Sequence, residues 1–389
     1  MSALKEQIAA AVDRVADELE SLSHRIHGNP ELGYQEFKAA GWLTEFLAGQ
    51  GFKVERGVGG VETAFRATIE TGDGPTIAIL CEYDALPAIG HACGHNVIAT
   101  AGVGAGAGLA GIRDRMPKGR IHVIGTPAEE GGGGKLRLIR GGVFRDVDAA
   151  MMVHGWDRWV PHQDLLGIVR LGFEFTGKAA HAAADPWDGI NAVDAVIQTF
   201  NNVSMLRQQV RPDARIHGIV TSGGAAPNII PEFAAATFYV RSAGLDYLSE
   251  LQKRVVACAE GAARATGCSL KVVESDTTYE PMKRNQALAD AFRANMQRLG
   301  LQESPEMKDR LGSSDVGNVS QVLPTIQPYV RIAPEGTPWH SRAFAEAAVS
   351  PLAREGMLAA AKVMAMTTLD LLTEPGLLTR AQQEFRATR

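Results

Sequence analysis

From Leu4 to about Leu47 apolar residues recur with a helical period, broken at His27-Gly28-Asn29-Pro30 where Gly and Pro favour a turn, so two helices are expected. Three β-type runs follow, Phe52–Val58, Thr63–Glu70 and Pro75–Tyr83, and then a helix-like segment from Asn96 to about Ile112. Strand Ile121–Pro127, helix Gly134–Gly141 and strand Asp148–Gly155 continue the alternation. Strands alternating with helices argue for an α/β layered domain with a mostly parallel sheet.

After Gly167 the pattern changes. A β-rich run, a helix from Asn191 to about Gln209, strands Arg215–Gly224 and Ala234–Ser242, and helix Leu245–Ala265 give a β-α-β-β-α order. Such a segment can close as a separate small α+β domain. The expected organisation is therefore an α/β domain made of residues 1–166 and 281–389, interrupted by an inserted domain at 167–280. No internal repeat is visible, and the tail beyond Leu372 is weakly specified.

Length supports two domains, because 389 residues exceed the roughly 250–300 at which single cores stop growing. The net charge of -5, without a long basic run, excludes the electrostatic footprint of a nucleic-acid binder or of an anionic membrane surface. A small-molecule substrate is the better expectation. The first helix carries acids throughout and lacks the pattern of a signal peptide, and no stretch holds about 20 uninterrupted apolar residues, so a cytoplasmic location is expected. Four cysteines are too few for a disulfide scaffold, and of these only Cys93 has neighbours that suggest chemistry.

Those neighbours are Gly90-His91-Ala92-Cys93-Gly94-His95-Asn96, where a thiolate and an imidazole two residues apart in a glycine-containing turn can face one ion. The paired acids Glu129 and Glu130 follow an apolar strand, the position at which α/β sheets place ligands. Two adjacent carboxylates can divide labour, one binding metal while the other carries a proton. His154 ends a strand, and His340 sits in Thr337-Pro338-Trp339-His340-Ser341. Each group alone has an ordinary structural reading; together the junctions at Cys93 and His95, at Glu129 and Glu130, and at His154 bring metal-competent side chains to one presumed sheet edge. The glycines before Lys135 do not make a phosphate loop, since the required pattern fails at Glu129 and Leu136, and Gly102–Gly108 fits close helix packing better than dinucleotide binding.

The stretches CEYDALPAIGHACGHN, GTPAEEGGGGK, VHGW, GKAAHAAADPWDGINAVDA, NIIPE and SSDVGNVS resemble the metallopeptidase family of aminoacylases, glutamate carboxypeptidases and auxin-conjugate hydrolases. Within its cysteine-ligand branch the similarity is greatest to aminobenzoyl-glutamate hydrolase and β-alanyl-lysine-type dipeptidases, and it spans nearly the whole chain. The resemblance implies a di-metal catalytic domain with an inserted dimerisation or lid domain, hence a homodimer. It further implies Cys93, His95, Glu130, His154 and His340 as metal ligands, with Cys93 bridging, Glu130 and His340 on one ion and His95 and His154 on the other. Glu129 takes the place of the general base and Asp84 that of the acid that orients a ligand. Distant relatives have a ligating histidine where this chain has Glu82, and His95 is expected to substitute. Asn96 departs from the aspartate common among auxin-conjugate hydrolases.

In the insert, the resemblance implies substrate contacts from His181, His217, Asn228 and Arg241, the last pairing with a carboxylate. His24, His27, His91, His122 and His162 are read as structural. The expected activity is hydrolysis of an amide in a dipeptide, an N-acyl amino acid or an aminobenzoyl-amino acid. Two other readings stay open: the same centre acting on another carbon–nitrogen bond, such as deamination of a small amine, and a non-catalytic binding homologue. The ligand set suits two divalent ions, zinc or manganese, with cobalt and nickel also compatible.

Overall fold

Strand Thr76–Cys81 has no polar face, for all six of its residues are buried, as a strand covered on both sides requires. It lies inside a six-stranded sheet ordered Lys53–Arg56, Phe65–Glu70, Arg120–Gly125, Thr76–Cys81, Ala149–Met151, Thr325–Ile326. The first two pairings, up to Arg120–Gly125, are antiparallel and the remaining three parallel. This computed structural model describes residues 2–306 and 311–387.

The chain divides into one unit of Met1–Asp164, Lys283–Leu311 and Asn318–Arg389, and another of Leu165–Met282 with Gly312–Gly317. Both junctions differ slightly from the 166/167 and 280/281 breaks read in the sequence. Gly312–Gly317 belongs with the insert, where the Leu166 N–H donates to the Gly312 carbonyl at 2.8 Å. The Met282 N–H likewise donates to Leu165.

Three helices rather than two open the first unit: Ser2–Arg14, Ala16–His27 and Phe37–Gly49. The extra break falls at Val15 (φ -106°, ψ 11°), and the apolar period runs through it without any Gly or Pro to mark it. Helix His95–Ala110 is buried on every side from His95 to Leu109. Its glycines allow that: a Cβ at Gly102 would stand 2.4 Å from Cys81 Sγ, and one at Gly104 would stand 2.9 Å from Leu19 Cδ1. Helix Pro351–Thr373 packs along it. By length and composition that helix could cross a membrane, but 78% of its most apolar window is buried, which makes it a core helix.

The segment read as one strand, Asp148–Gly155, is two. Ala149–Met151 belongs to the large sheet, whereas His154–Trp156 pairs in parallel with Tyr329–Arg331 in a separate two-stranded sheet. Leaving one sheet for the other re-aims His154, whose N–H donates to the Pro328 carbonyl at 2.9 Å.

The second unit is built on an antiparallel sheet ordered Ser269–Glu274, Gly167–Thr176, Phe233–Ser242, Arg215–Ser222. Phe233–Ser242 alternates between buried and more exposed residues. Its covered face, with Phe173, Phe175 and Phe238, packs against helices Ala192–Leu206 and Leu245–Thr266. Strand Ser269–Glu274 is absent from the β-α-β-β-α reading. It is an edge strand with four exposed residues out of six, and its mixed polar sequence carries little of the hydrophobic alternation that marks a strand.

Candidate metal centre

Local backbone geometry delivers each candidate ligand. Gly94, with φ +78°, precedes helix His95–Ala110; a Cβ there would lie 2.6 Å from Ile332 Cδ1. Only glycine fits this turn without strain, and the turn sets Cys93 and His95 on either side of it. Glu129 and Glu130 follow strand Arg120–Gly125 and the left-handed residue Ala128, at φ +59°. His340 is also left-handed, at φ +56°, and its N–H donates to the Ala92 carbonyl at 3.0 Å. That bond docks the Trp339-His340 turn beside Cys93.

Donor atoms of Cys93, His95 and His154 lie within 4.8 Å of one another, as do those of Cys93, Glu130 and His340, and those of His95, Glu129 and Glu130. Two triads thus share the Cys93 sulfur. Cys93 Sγ is 3.5 Å from His154 Nε2, and His340 Nε2 is 3.5 Å from Glu130 Oε1. Asp84 sits beneath them: His95 Nδ1 is 2.9 Å from its carbonyl oxygen and 3.2 Å from its Oδ1. Its Oδ2 accepts the Glu130 N–H at 2.9 Å. Because a carbonyl only accepts, Nδ1 of His95 carries the proton and Nε2 is left to face the cluster. His154 is fixed likewise, with Nδ1 3.0 Å from the Gly155 carbonyl.

Burial sets the protonation of the cluster. It pushes the Cys93 thiol up, reinforced by Glu130, and raises the Glu130 carboxyl. It brings the His154 imidazole down to about 4, which keeps that ring a neutral donor. Burial also opposes a charged His95, but the adjacent Asp84 carboxylate outweighs it and holds His95 well above its ordinary value. Asp84 resists the upward pull of burial through His95 and the N–H groups of Glu130 and Glu129, and stays below its ordinary value.

The residues fit divalent cations. His95 Nε2 and Glu130 Oε1 are cut off from solvent and make no hydrogen bond among the described residues, a costly condition that a bound cation relieves. One sulfur, three imidazoles and carboxylate oxygens form the mixed donor set expected of zinc or another late divalent metal.

Other residues around the centre carry no obvious sequence signal. Lys135, set aside above as a phosphate-loop lysine, is fully buried with its ammonium on Glu82; Glu82 Oε2 lies 3.6 Å from His95 Nε2. Tyr329 and Trp339 pack on His154, with ring centroids 5.5 and 6.0 Å from it, and Trp156 packs in turn on both of them. Glu36, fully buried, accepts the Ala128 N–H at 2.8 Å and the Thr63 hydroxyl at 2.9 Å. Burial and then Asp84 raise its carboxyl to about 7. Residue spacing cannot reveal these pairings, since the partners are tens of residues apart.

The four candidate substrate residues stand on the second unit. His181 is exposed, its Nδ1 accepting the N–H groups of Ala183 and Ala184. His217 is an exposed cross-strand neighbour of Tyr239, and burial followed by Arg241 lowers it. Asn228 is exposed, and its carbonyl accepts the Ala182 N–H. Arg241 Nη1 donates to Ser313 Oγ at 3.0 Å, while its buried Nε makes no hydrogen bond among the described residues. Of the histidines read as structural, His122 bonds Thr68 Oγ1 at 2.9 Å, and His27 Nε2 lies 2.8 Å from the Ala345 carbonyl.

The chain is 39% identical to the Xaa-Arg dipeptidase of Mus musculus, covering 98% of this chain and 92% of that one. It is 30% identical to one of the subunits of p-aminobenzoyl-glutamate hydrolase from Escherichia coli (strain K12), over 94% and 91%. A solved dinuclear metal-binding peptidase of the M20 family from Bacillus subtilis superposes with a TM-score of 0.74, covering 92% of this chain and 99% of that one. At 21% identity that likeness speaks for the fold. The profile of Peptidase family M20/M25/M40 matches residues 80–361, and the chain belongs to that family.

Proposed function

We propose that this protein is a dipeptidase-type amidohydrolase. In this reading two divalent ions are held by Cys93, His95, Glu130, His154 and His340, and the leaving part of the substrate is an amino acid with a free carboxylate. Metal-dependent hydrolysis of an amide bond in a small molecule follows from the family and from its relatives. The observation that carries the finer reading is the pair of donor triads sharing Cys93, with Glu129 beside them. The name of the 39% identical relative, Xaa-Arg dipeptidase, makes a dipeptide with a basic C-terminal residue the first substrate to test.

Divalent ions bound here supply an acidified water and a polarised carbonyl oxygen. The protein does the rest. Glu129 takes the proton of the attacking water and returns it to the amine nitrogen as the carbon–nitrogen bond breaks. Asp84 fixes the His95 ring, and the Gly155 carbonyl fixes that of His154. His217 or His181 stabilises the tetrahedral oxyanion, and Asn228 helps to seat the substrate. Arg241, with an unused buried Nε–H, is the fork that recognises the substrate carboxylate. The inserted unit serves for dimerisation and as a lid; its edge strand Arg215–Ser222 exposes Ile219 and Val220.

The test is purified protein reconstituted with zinc, manganese, cobalt or nickel and assayed for amine release from dipeptides, N-acyl amino acids and aromatic amides. Cleavage of dipeptides, with Arg241→Ala raising KM most for substrates that keep the free carboxylate, supports the reading. Equal rates on substrates whose carboxylate is amidated overturn the role of Arg241.

A further inference from the structure

Glu36 occupies the residue before helix Phe37–Gly49, a position from which acids ordinarily cap a helix, yet its side chain makes no capping bond. The carboxylate instead reaches across 92 residues of sequence. Oε1 accepts the Ala128 N–H at 2.8 Å, and Oε2 accepts the Thr63 hydroxyl at 2.9 Å. Thr63 is itself held, its carbonyl accepting the Tyr83 hydroxyl at 2.7 Å.

Ala128 is left-handed, at φ +59°, and almost fully buried. Alanine does not adopt that conformation unaided, and a buried N–H demands an acceptor. The Glu36 carboxylate is that acceptor. On the far side of Glu129, the Glu130 N–H is taken by Asp84 Oδ2 at 2.9 Å. Two buried carboxylates therefore hold the backbone on either side of Glu129. The segment around Glu36 adds to the cradle. A Cβ at Gly33 would lie 2.9 Å from Ala128 Cβ, and the Tyr34 hydroxyl donates to the Gly132 carbonyl at 2.6 Å.

We propose that Glu36 is a positioning residue for the hydrolytic reaction, holding Ala128 in its left-handed conformation and thereby aiming the Glu129 carboxylate. The inference rests on the reading of Glu129 as the proton carrier. It assigns Glu36 no contact with substrate.

The experiment compares Glu36→Ala, Glu36→Gln, Ala128→Gly and the double variant Glu36→Ala/Ala128→Gly, each metal-reconstituted, with Glu129→Gln alongside. Glu36→Ala is expected to lower kcat by about 100-fold with KM and metal content unchanged. Ala128→Gly should restore at least about 10-fold of that loss, because glycine takes the left-handed conformation without a Cβ penalty. Glu36→Gln should restore most of it, its amide oxygen accepting the Ala128 N–H while its amide nitrogen donates to Thr63 Oγ1. Should Glu36→Ala not fold, Glu36→Asp, one methylene short of Ala128, is measured in its place. Unchanged kcat beside an inactive Glu129→Gln overturns the role of Glu36 alone, and so does a loss that Ala128→Gly leaves unrelieved. Full turnover in Glu129→Gln overturns the reading of the base, and the role of Glu36 with it.

Discussion

The rings of His154 and Trp339 share one acceptor, the carbonyl oxygen of Gly155, which lies 3.0 Å from His154 Nδ1 and 3.0 Å from Trp339 Nε1. Trp339 also stacks on Trp156 at 4.8 Å and immediately precedes His340. One backbone carbonyl thus joins two candidate ligands that lie far apart in the chain. Trp339→Phe removes the indole N–H that binds this shared carbonyl and keeps an aromatic ring. Metal affinity should fall by about 10-fold, at the low end of what partners of ligating residues contribute. Competition with a chromophoric chelator measures it, and an unchanged affinity contradicts the link.

Metal uptake should release protons. Without an ion, burial keeps the proton on Cys93 and favours one on Glu130, while Asp84 overcomes burial to favour a second proton on His95. Each must leave before its donor can bind metal, so affinity should rise with pH and fall as pH drops. Calorimetry in buffers of different protonation enthalpy, at one pH near neutrality, should report more than one proton released per chain. Heats that do not depend on the buffer contradict this.

Glu36 should leave a signature in stability. Its carboxyl is raised from the ordinary 4.5 to about 7 by burial and then by Asp84, so between those values the folded chain keeps a proton that the unfolded chain has lost. Where the native state binds more protons, stability falls as pH rises. This contribution is complete below about 4.5 and lost through about 7, on the order of 3 kcal/mol in all. Glu36→Gln cannot ionise and lacks it. Denaturant unfolding of the metal-free proteins should therefore show the variant gaining on wild type across that window. A difference that does not vary with pH contradicts the assignment.

Much of the fold was legible because its strands are short apolar runs separated by helical periods. Thr76–Cys81 and Phe233–Ser242 stand out by composition and alternation alone. The break at Val15 did not, having no Gly or Pro to mark it; nor did the split at Met152-Val153 and the edge strand Ser269–Glu274, which depend on their pairing with Tyr329–Arg331 and Gly167–Thr176 and not on local residue preference. The candidate metal donors were readable as residue types at strand-to-loop junctions, and it is the resemblance that assigns the proton to Glu129 and the metal to Glu130. What surrounds them was not. The Glu36–Ala128 bond, the Lys135–Glu82 pair and the aromatic packing on His154 arise only when distant segments meet, and none has a spacing to announce it.

The role of Glu129 beside a two-ion centre is tested by metal content and turnover measured together on Glu129→Gln, against a dipeptide that the wild-type protein cleaves. Two ions per chain are expected, as in wild type, with kcat reduced by on the order of 10³-fold, within the range for loss of a proton-transfer residue. Near-normal turnover in the metal-loaded variant would contradict it.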